Sequence, residues 1–233
     1  MSPKRVIKIG GSLLFEGEDI NTKKINEFCS IIRKRDDILA VICGGGAIAR
    51  KYIQALRDFG VNEAKCDVMG IYISRLNAKL IIEGLKDDAY PLVPESIEDL
   101  SRNLLFNKIF VLGGLQPGQS TTSVAFEVSE FLNANELLIL TDVEGIFDKD
   151  PKNNSDAKKF DELSIEKLQN LIVDSSSKTQ AAAGEYRIFD AVSLQILKRS
   201  KIKVRIFSGT NLNLLKKVLD EKISNVGTII NSK

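Results

Sequence analysis

The chain has 233 residues, 43% of them hydrophobic, and 33 Lys and Arg against 31 Asp and Glu, a net charge of +2. That size suits one large α/β domain or two intimately packed lobes, and the balanced charge supplies no basic field for a nucleic-acid backbone. Histidine is absent, which excludes His-based triads, phosphohistidine transfer and the usual His-containing zinc sites, whereas phosphoryl transfer by positioning and charge neutralisation stays open.

Three cysteines, Cys29, Cys43 and Cys66, form an odd set without CxxC spacing, the pattern of reduced core thiols in a cytoplasm. The N-terminus runs directly into a strand-like segment, and no apolar run approaches the length of a bilayer span. The expectation is a cytoplasmic protein with no membrane and no nucleic-acid partner.

In chain order, Arg5 to Ile9 reads as a first strand, with Lys8 inside it and Gly10-Gly11-Ser12 directly after it. Thr22 to Arg35 gives a helix with Ile25, Phe28, Cys29 and Ile32 on one face, and Ile38 to Cys43 a second strand ending in Gly44-Gly45-Gly46. Ala47 to Phe59 is helical, as is a longer pattern from about Ala64 to Leu85, with Asp67 near its start. Tyr90 to Val93 reads as a short strand, Glu95 to Leu105 as a helix, and Ile109 to Leu112 as a strand that stops at Gly113-Gly114.

After Leu115-Gln116-Pro117-Gly118-Gln119, Ser120 and Thr121 stand where an N-cap belongs, ahead of Val124, Ala125, Val128 and Phe131 at helical spacing. Glu136 to Thr141 is the next strand, running into Asp142-Val143-Glu144-Gly145-Ile146-Phe147 and Asp150-Pro151. The remainder reads as a polar loop over 152–159, a helix from Ser164 to Val173, a flexible stretch over 174–180 and a helix from Phe189 to Ser200. A strand from Lys203 to Phe207, a helix from Leu212 to Lys222 and a strand from Gly227 to Ile230 complete it. This alternation predicts an open, mostly parallel sheet in a three-layer α/β sandwich, with ligands at the carboxyl ends of the strands. A change of role near Asn133 to Glu136 divides a single domain into lobes 1–134 and 135–233.

Three strand ends thus carry glycine-rich turns, the arrangement expected where several phosphates are cradled by backbone N–H groups. The GxxxxGK[ST] pattern of a P-loop is absent. Gly44, Gly46 and Ala49 also fit a GxGxxA dinucleotide pattern, but the acidic residue that pattern wants at the following strand end is not there; Asp67 sits at a helix start. Lys8 would place an ammonium beside the phosphates, or be a solvated lysine on an edge strand. Arg50, one turn into its helix, would return to the same pocket or lie on the surface. Asp67 would accept from ribose hydroxyls or cap its helix, and Asp142 would orient Lys8 or serve as a turn residue.

The set Lys8 to Ser12, Gly44 to Tyr52, Gly113 to Thr121 and Thr141 to Phe147 through Asp150-Pro151 resembles the amino acid kinase family and, within it, the archaeal type of UMP kinase. The similarity extends through Asp67 to Ile71, Ser74 to Ala78 and Ala183 to Tyr186, and Gln116-Pro117-Gly118-Gln119-Ser120-Thr121 is its most specific piece. The resemblance implies an amino acid kinase-like sheet and a kinase making UDP from UMP with ATP and Mg²⁺, bound through the nucleotide phosphates. UMP would sit in the first lobe and ATP in the second, in a homohexamer.

Carried over residue by residue, Gly45, Asp67, Gly114, Leu115, Gln116, Pro117, Gly118, Gln119, Ser120 and Thr121 fall at the family's UMP positions. Lys8, Gly10, Gly11, Ser12, Gly46, Arg50, Thr141, Phe147 and Asp150 fall at its ATP positions; Lys8, Arg50 and Asp142 are the catalytic candidates, with no protein metal ligand. Asp142 stands where relatives commonly have Asn or Lys, Phe147 where they commonly have Tyr, Ala191 where a proline is common, and Gln195 where a lysine is frequent; if that lysine helps catalysis in relatives, either another cation such as Lys178 serves here or the rate is lower. The alternatives are an isopentenyl phosphate kinase of the same fold, whose members resemble one another in a histidine this chain lacks, and a catalytically silent nucleotide-binding protein.

Overall fold

The computed structural model describes residues 3–149, 151, 154–176 and 189–231, with 172–176 described by their backbone. Its frame is a seven-stranded sheet built from β1 (Arg5–Ile9), β4 (Ile38–Cys43), β5 (Phe110–Leu112), β6 (Glu136–Thr141), β7 (Glu162–Leu163), β8 (Lys203–Ser208) and β9 (Thr228–Ile230). The strand order is β5-β4-β1-β6-β8-β9-β7. The pairs β5/β4, β4/β1, β1/β6 and β6/β8 are parallel, and β9 runs antiparallel to β8. The parallel strands read as near-continuous apolar runs because helices cover both their faces.

Period-two alternation divides the core. Val6, Ala40, Ile42, Leu112, Leu137, Ile139 and Val204 face a layer containing α4 (Ile97–Arg102), α5 (Thr121–Phe131), α6 (Ile165–Ser176) and α7 (Ala191–Arg199). Ile7, Ile9, Val41, Cys43, Leu138 and Leu140 face α1 (Thr22–Ile32), α3 (Glu63–Leu85) and α8 (Leu212–Leu219). The α1 face holds Ile25, Phe28, Cys29 and Ile32 in the core, as its spacing predicts. All three cysteines are buried and unpaired, and α2 (Gly46–Asp58) packs beside α3 near the carboxyl ends of the strands.

Several local expectations change. Tyr90 to Val93 forms no strand; a single parallel bridge joins Ala89 to Ile109, and Tyr90 packs its ring against Phe110 at 5.3 Å instead. The helix expected over 95–105 breaks after Arg102 into a separate turn at Leu104–Phe106. A small hairpin, β2 (Phe15–Glu16) with β3 (Asp19–Ile20), goes unsignalled because each strand has two residues. Within the flexible stretch expected over 174–180, α6 continues to Ser176.

The sheet is continuous across the expected lobe boundary. Central β1 pairs with β4 on one side and β6 on the other, setting Lys8 between Ile42 and Ile139. At the opposite, amino-terminal edge lies a buried ionic cluster. Arg5 reaches Asp37 at 2.5 Å and Glu136 at 3.0 Å, Arg205 reaches Glu136 at 3.3 Å, and Arg35 reaches Asp37 at 2.9 Å. Burial alone would raise the Asp37 pKa, but hydrogen bonds from Arg35 and Arg5 hold it below the ordinary carboxylate value.

Candidate active site

A cleft of about 360 Å³ opens at the carboxyl ends of β1, β4, β5 and β6. Such a position at the crevice of an open parallel sheet is where α/β folds bind ligands. Lys8 enters it from the centre of the sheet, which removes the edge-strand alternative. Burial draws its pKa down from 10.5 to about 8, with the charges of Asp142 and Cys43 pulling the other way. The Asp142 carboxylate also accepts a hydrogen bond from Thr141 Oγ1 at 3.2 Å.

Three helical starts converge on this cleft. The first is a short 3₁₀ turn, Gly11–Leu13, and the second is α2; neither has a side-chain cap on its N-terminal amides. The third is α5, where Ser120 Oγ accepts from Ser123 N at 3.1 Å and leaves the first amides, at Thr121 and Thr122, unclaimed. Free N–H groups and aligned dipoles make each of these an anion site, and together they suit a polyphosphate. Arg50, exposed one turn into α2, lines the same cleft and adds a cation.

The glycines are needed for a reason other than the one their spacing suggests. A Cβ on Gly11 would lie 2.2 Å from Gly46 N, and one on Gly113 would lie 2.5 Å from Arg75 N. Loop therefore packs on loop, and loop on α3, backbone against backbone. Gly46 also has φ +69°, a conformation that favours glycine. The shape of this part of the cleft follows from the packing, with Gly10, Gly11, Gly44, Gly45 and Gly46 all in its lining.

Residues 113–121 are held from outside by α3. Ser74 Oγ accepts from Gly114 N at 2.8 Å, Arg75 Nε donates to the Gly114 carbonyl at 3.0 Å, and Asn77 Nδ2 donates to the Gly44 carbonyl at 2.8 Å. Asp67 is not a cap: α3 begins at Glu63 and its N-cap is Asn62. One Asp67 carboxylate oxygen accepts from Gly118 N at 2.8 Å, leaving the other for a ligand hydroxyl. The amides of Gly114, Gly118 and Ser120 are consequently spoken for, which leaves the α5 N-terminus rather than the whole loop to meet an anion.

Lys8, Gly10, Gly11, Ser12, Gly45, Gly46, Arg50, Asp67, Gly114, Gln119, Ser120, Thr121, Thr141 and Asp142 all line the cleft. Leu115, Gln116, Pro117 and Gly118 do not; the last three form an exposed turn at the rim. Phe147 also lies outside the lining and pairs antiparallel with Lys159. Asp150, Lys178 and Ala183 to Tyr186 fall outside the described residues. Sequence reasoning missed Ser74 and Thr122, both buried and both lining the cleft, because a hydroxyl inside an amphipathic helix gives no signal of its own.

The Amino acid kinase family model matches residues 3–208. The uridylate kinase of Methanocaldococcus jannaschii is 40% identical over 213 residues, covering 90% of this chain and 92% of the relative. That of Sulfolobus acidocaldarius is 38% identical over 216 residues, covering 93% and 94%. The crystal structure of uridylate kinase from Archaeoglobus fulgidus matches with a TM-score of 0.81 at 32% identity, over 97% of this chain and 99% of that one. A family model that takes in β1, β4, β5, β6 and β8, together with relatives this similar along their whole length, establishes that the chain belongs to the amino acid kinase family.

Proposed function

We propose that the chain is a UMP kinase, transferring the γ-phosphoryl group of ATP to UMP to give UDP, a step of pyrimidine nucleotide synthesis. The observation that carries this reading is the convergence of Lys8, Arg50 and three helical N-termini on one cleft in a protein without histidine. A nucleoside monophosphate suits such a cleft as acceptor. Its phosphate is already ionised, so its oxygen attacks phosphorus without a general base, and catalysis reduces to alignment and charge compensation.

In this account the α5 N-terminus, with the hydroxyls of Ser120 and Thr121, holds the UMP phosphate, while the free oxygen of Asp67 accepts from a ribose hydroxyl. The amides after Gly10 and Gly45 take the ATP phosphates. Lys8 and Arg50 sit where the two anions meet and stabilise charge that builds up on the transferred group. The charge of Asp142 opposes the desolvation that draws the Lys8 pKa down. Mg²⁺ would be held through the nucleotide phosphates and would offset their charge.

The proposal extends to a UMP lobe over 1–134 and an ATP lobe over 135–233, meeting at the β1/β6 pair. Exposed Tyr72, Leu76 and Leu92 supply apolar surface for homo-oligomeric assembly, a hexamer by resemblance. Among the described residues no helix is long and apolar enough to cross a membrane. Phosphorus NMR of a reaction with ATP, Mg²⁺ and UMP tests the chemistry: resonances of UDP should grow with those of ADP. Growth of ADP with free phosphate and no UDP would make the protein an ATPase.

A further inference from the structure

We propose that Asp190 is a positioning residue: its carboxylate fixes the N-terminus of α5, and with it the acceptor phosphate, to the half of the chain that follows β6. The inference rests on the UMP kinase reading for what α5 holds, but the contact itself does not.

Asp190 is the N-cap of α7 and forms a capping box with Ser193, accepting from Ser193 N at 2.8 Å while Ser193 Oγ accepts from Asp190 N at 2.9 Å. A cap needs one oxygen. This carboxylate reaches further: Oδ2 accepts from Ser120 N at 3.3 Å, and Oδ1 accepts from Ser123 Oγ. Ser120 and Ser123 are the two ends of the α5 capping turn. Between them stand Thr121 and Thr122, which line the cleft and carry the first two amides of α5.

Two further features make the contact rigid. Phe189, directly before Asp190, packs its ring on Phe126 of α5 with centroids 5.8 Å apart. Burial would raise the Asp190 pKa, but hydrogen bonds from Ser120, Ser123 and Ser193 keep it low, so the side chain stays an anion and accepts strongly. Asp190 does not line the cleft and acts through α5. Its charge lies near the same positive helix end that attracts the phosphate, so it aligns the acceptor without adding to its affinity. Its loss should therefore appear in turnover and leave binding nearly intact.

The experiment compares Asp190→Asn, Ser123→Ala and Ser193→Ala in the full chain by UMP kinetics and amide hydrogen exchange. Asp190→Asn should lower kcat by about tenfold or more, since a misplacement near 1 Å is worth up to ~100-fold, while KM for UMP and for ATP stay within about threefold. Ser123→Ala should move kcat the same way by less, with no further loss when both are combined. Exchange over 119–124 should accelerate in both variants, without acceleration in β1 or β6.

Ser193→Ala, which loosens only the α7 cap, should leave kcat within about twofold; an equal loss there would reduce Asp190 to a cap and overturn the proposal. So would unchanged kcat and exchange in Ser123→Ala, a test that survives if Asp190→Asn fails to fold. Accelerated exchange with a wild type inert toward UMP would refute the acceptor assignment and leave the tether standing.

Discussion

Lys8 is the residue on which electrostatics and stability meet. Its burial in a central strand draws the pKa down to about 8, so the charge that the proposed mechanism needs is disfavoured by the fold. Lys8→Met should lower kcat by ~10²-fold or more, the scale for removing one preorganised charge. The same substitution should raise thermal stability by roughly 1–3 kcal/mol, because a strongly shifted pKa reports that much differential burial free energy. The sign of the pH dependence follows. Between pH 8 and 10.5 the unfolded chain binds a proton at this position that the folded chain does not, so this group makes stability rise with pH across that window. Activity runs the opposite way: kcat/KM should fall as pH passes about 8, and kcat at a higher pH, since bound nucleotide phosphates favour the protonated form. A profile flat to pH 10 would remove Lys8 from the mechanism.

Asp67 separates two duties in the same side chain. Asp67→Asn keeps an oxygen for Gly118 N and loses the charge, so it should raise KM for UMP by roughly threefold to tenfold with kcat little changed, as expected for lost uniform binding. Asp67→Ala also frees the rim turn and should lower kcat as well. Steady-state kinetics on the pair checks both. Lys8 and Arg50 were legible because each follows or precedes a glycine turn at a strand end. The cap reading of Asp67 failed because the helix signal at Asn62 and Glu63 was weaker than the apolar pattern that begins later.

At the scale of elements, α3 is the plate against which the glycine loops are set. Ser74, Arg75 and Asn77 hold Gly44, Gly114 and Leu115 through their carbonyl and amide groups. Their spacing matches a helix, but nothing in one sequence tells a buried hydroxyl that grips a loop from one that merely fits the core. The central strands were legible because parallel strands buried on both faces leave unbroken apolar runs. Strand β7 has two residues, too short for any period, whereas β9 falls within the strand expected from Gly227 to Ile230. Ser74→Ala should leave Gly114 N without its partner beside the cleft, costing about 1–3 kcal/mol; urea denaturation measures it, and a change within error would mean that water replaces the hydroxyl.

Across the whole molecule the sheet carries chemistry at one edge and a buried ionic cluster at the other. Arg5 joins the loop before β4 to the start of β6, so the cluster spans the boundary between the proposed lobes. Arg5→Met would leave Asp37 with Arg35 and Glu136 with Arg205 as their remaining partners, and chemical denaturation should show a loss of about 1–3 kcal/mol, the scale for lost hydrogen bonds to buried charged groups. Because the folded-state pKa of Asp37 is depressed, its share of stability is present above its unfolded value and is lost as pH falls through the folded one. None of this cluster was visible in the sequence, since its members come from four separate segments and each alone reads as a surface charge.

The account's central claim is that this cleft joins phosphate to phosphate with a uridine nucleotide as acceptor. Its most direct test is kcat/KM with ATP and Mg²⁺ for UMP, CMP, isopentenyl phosphate and N-acetylglutamate in a coupled ADP-release assay. The account predicts UMP as the strongly preferred acceptor and no turnover of N-acetylglutamate. Preference for isopentenyl phosphate would keep the fold and the ATP half of the cleft but contradict the acceptor site, and binding of UMP and ATP without turnover would contradict the claim outright.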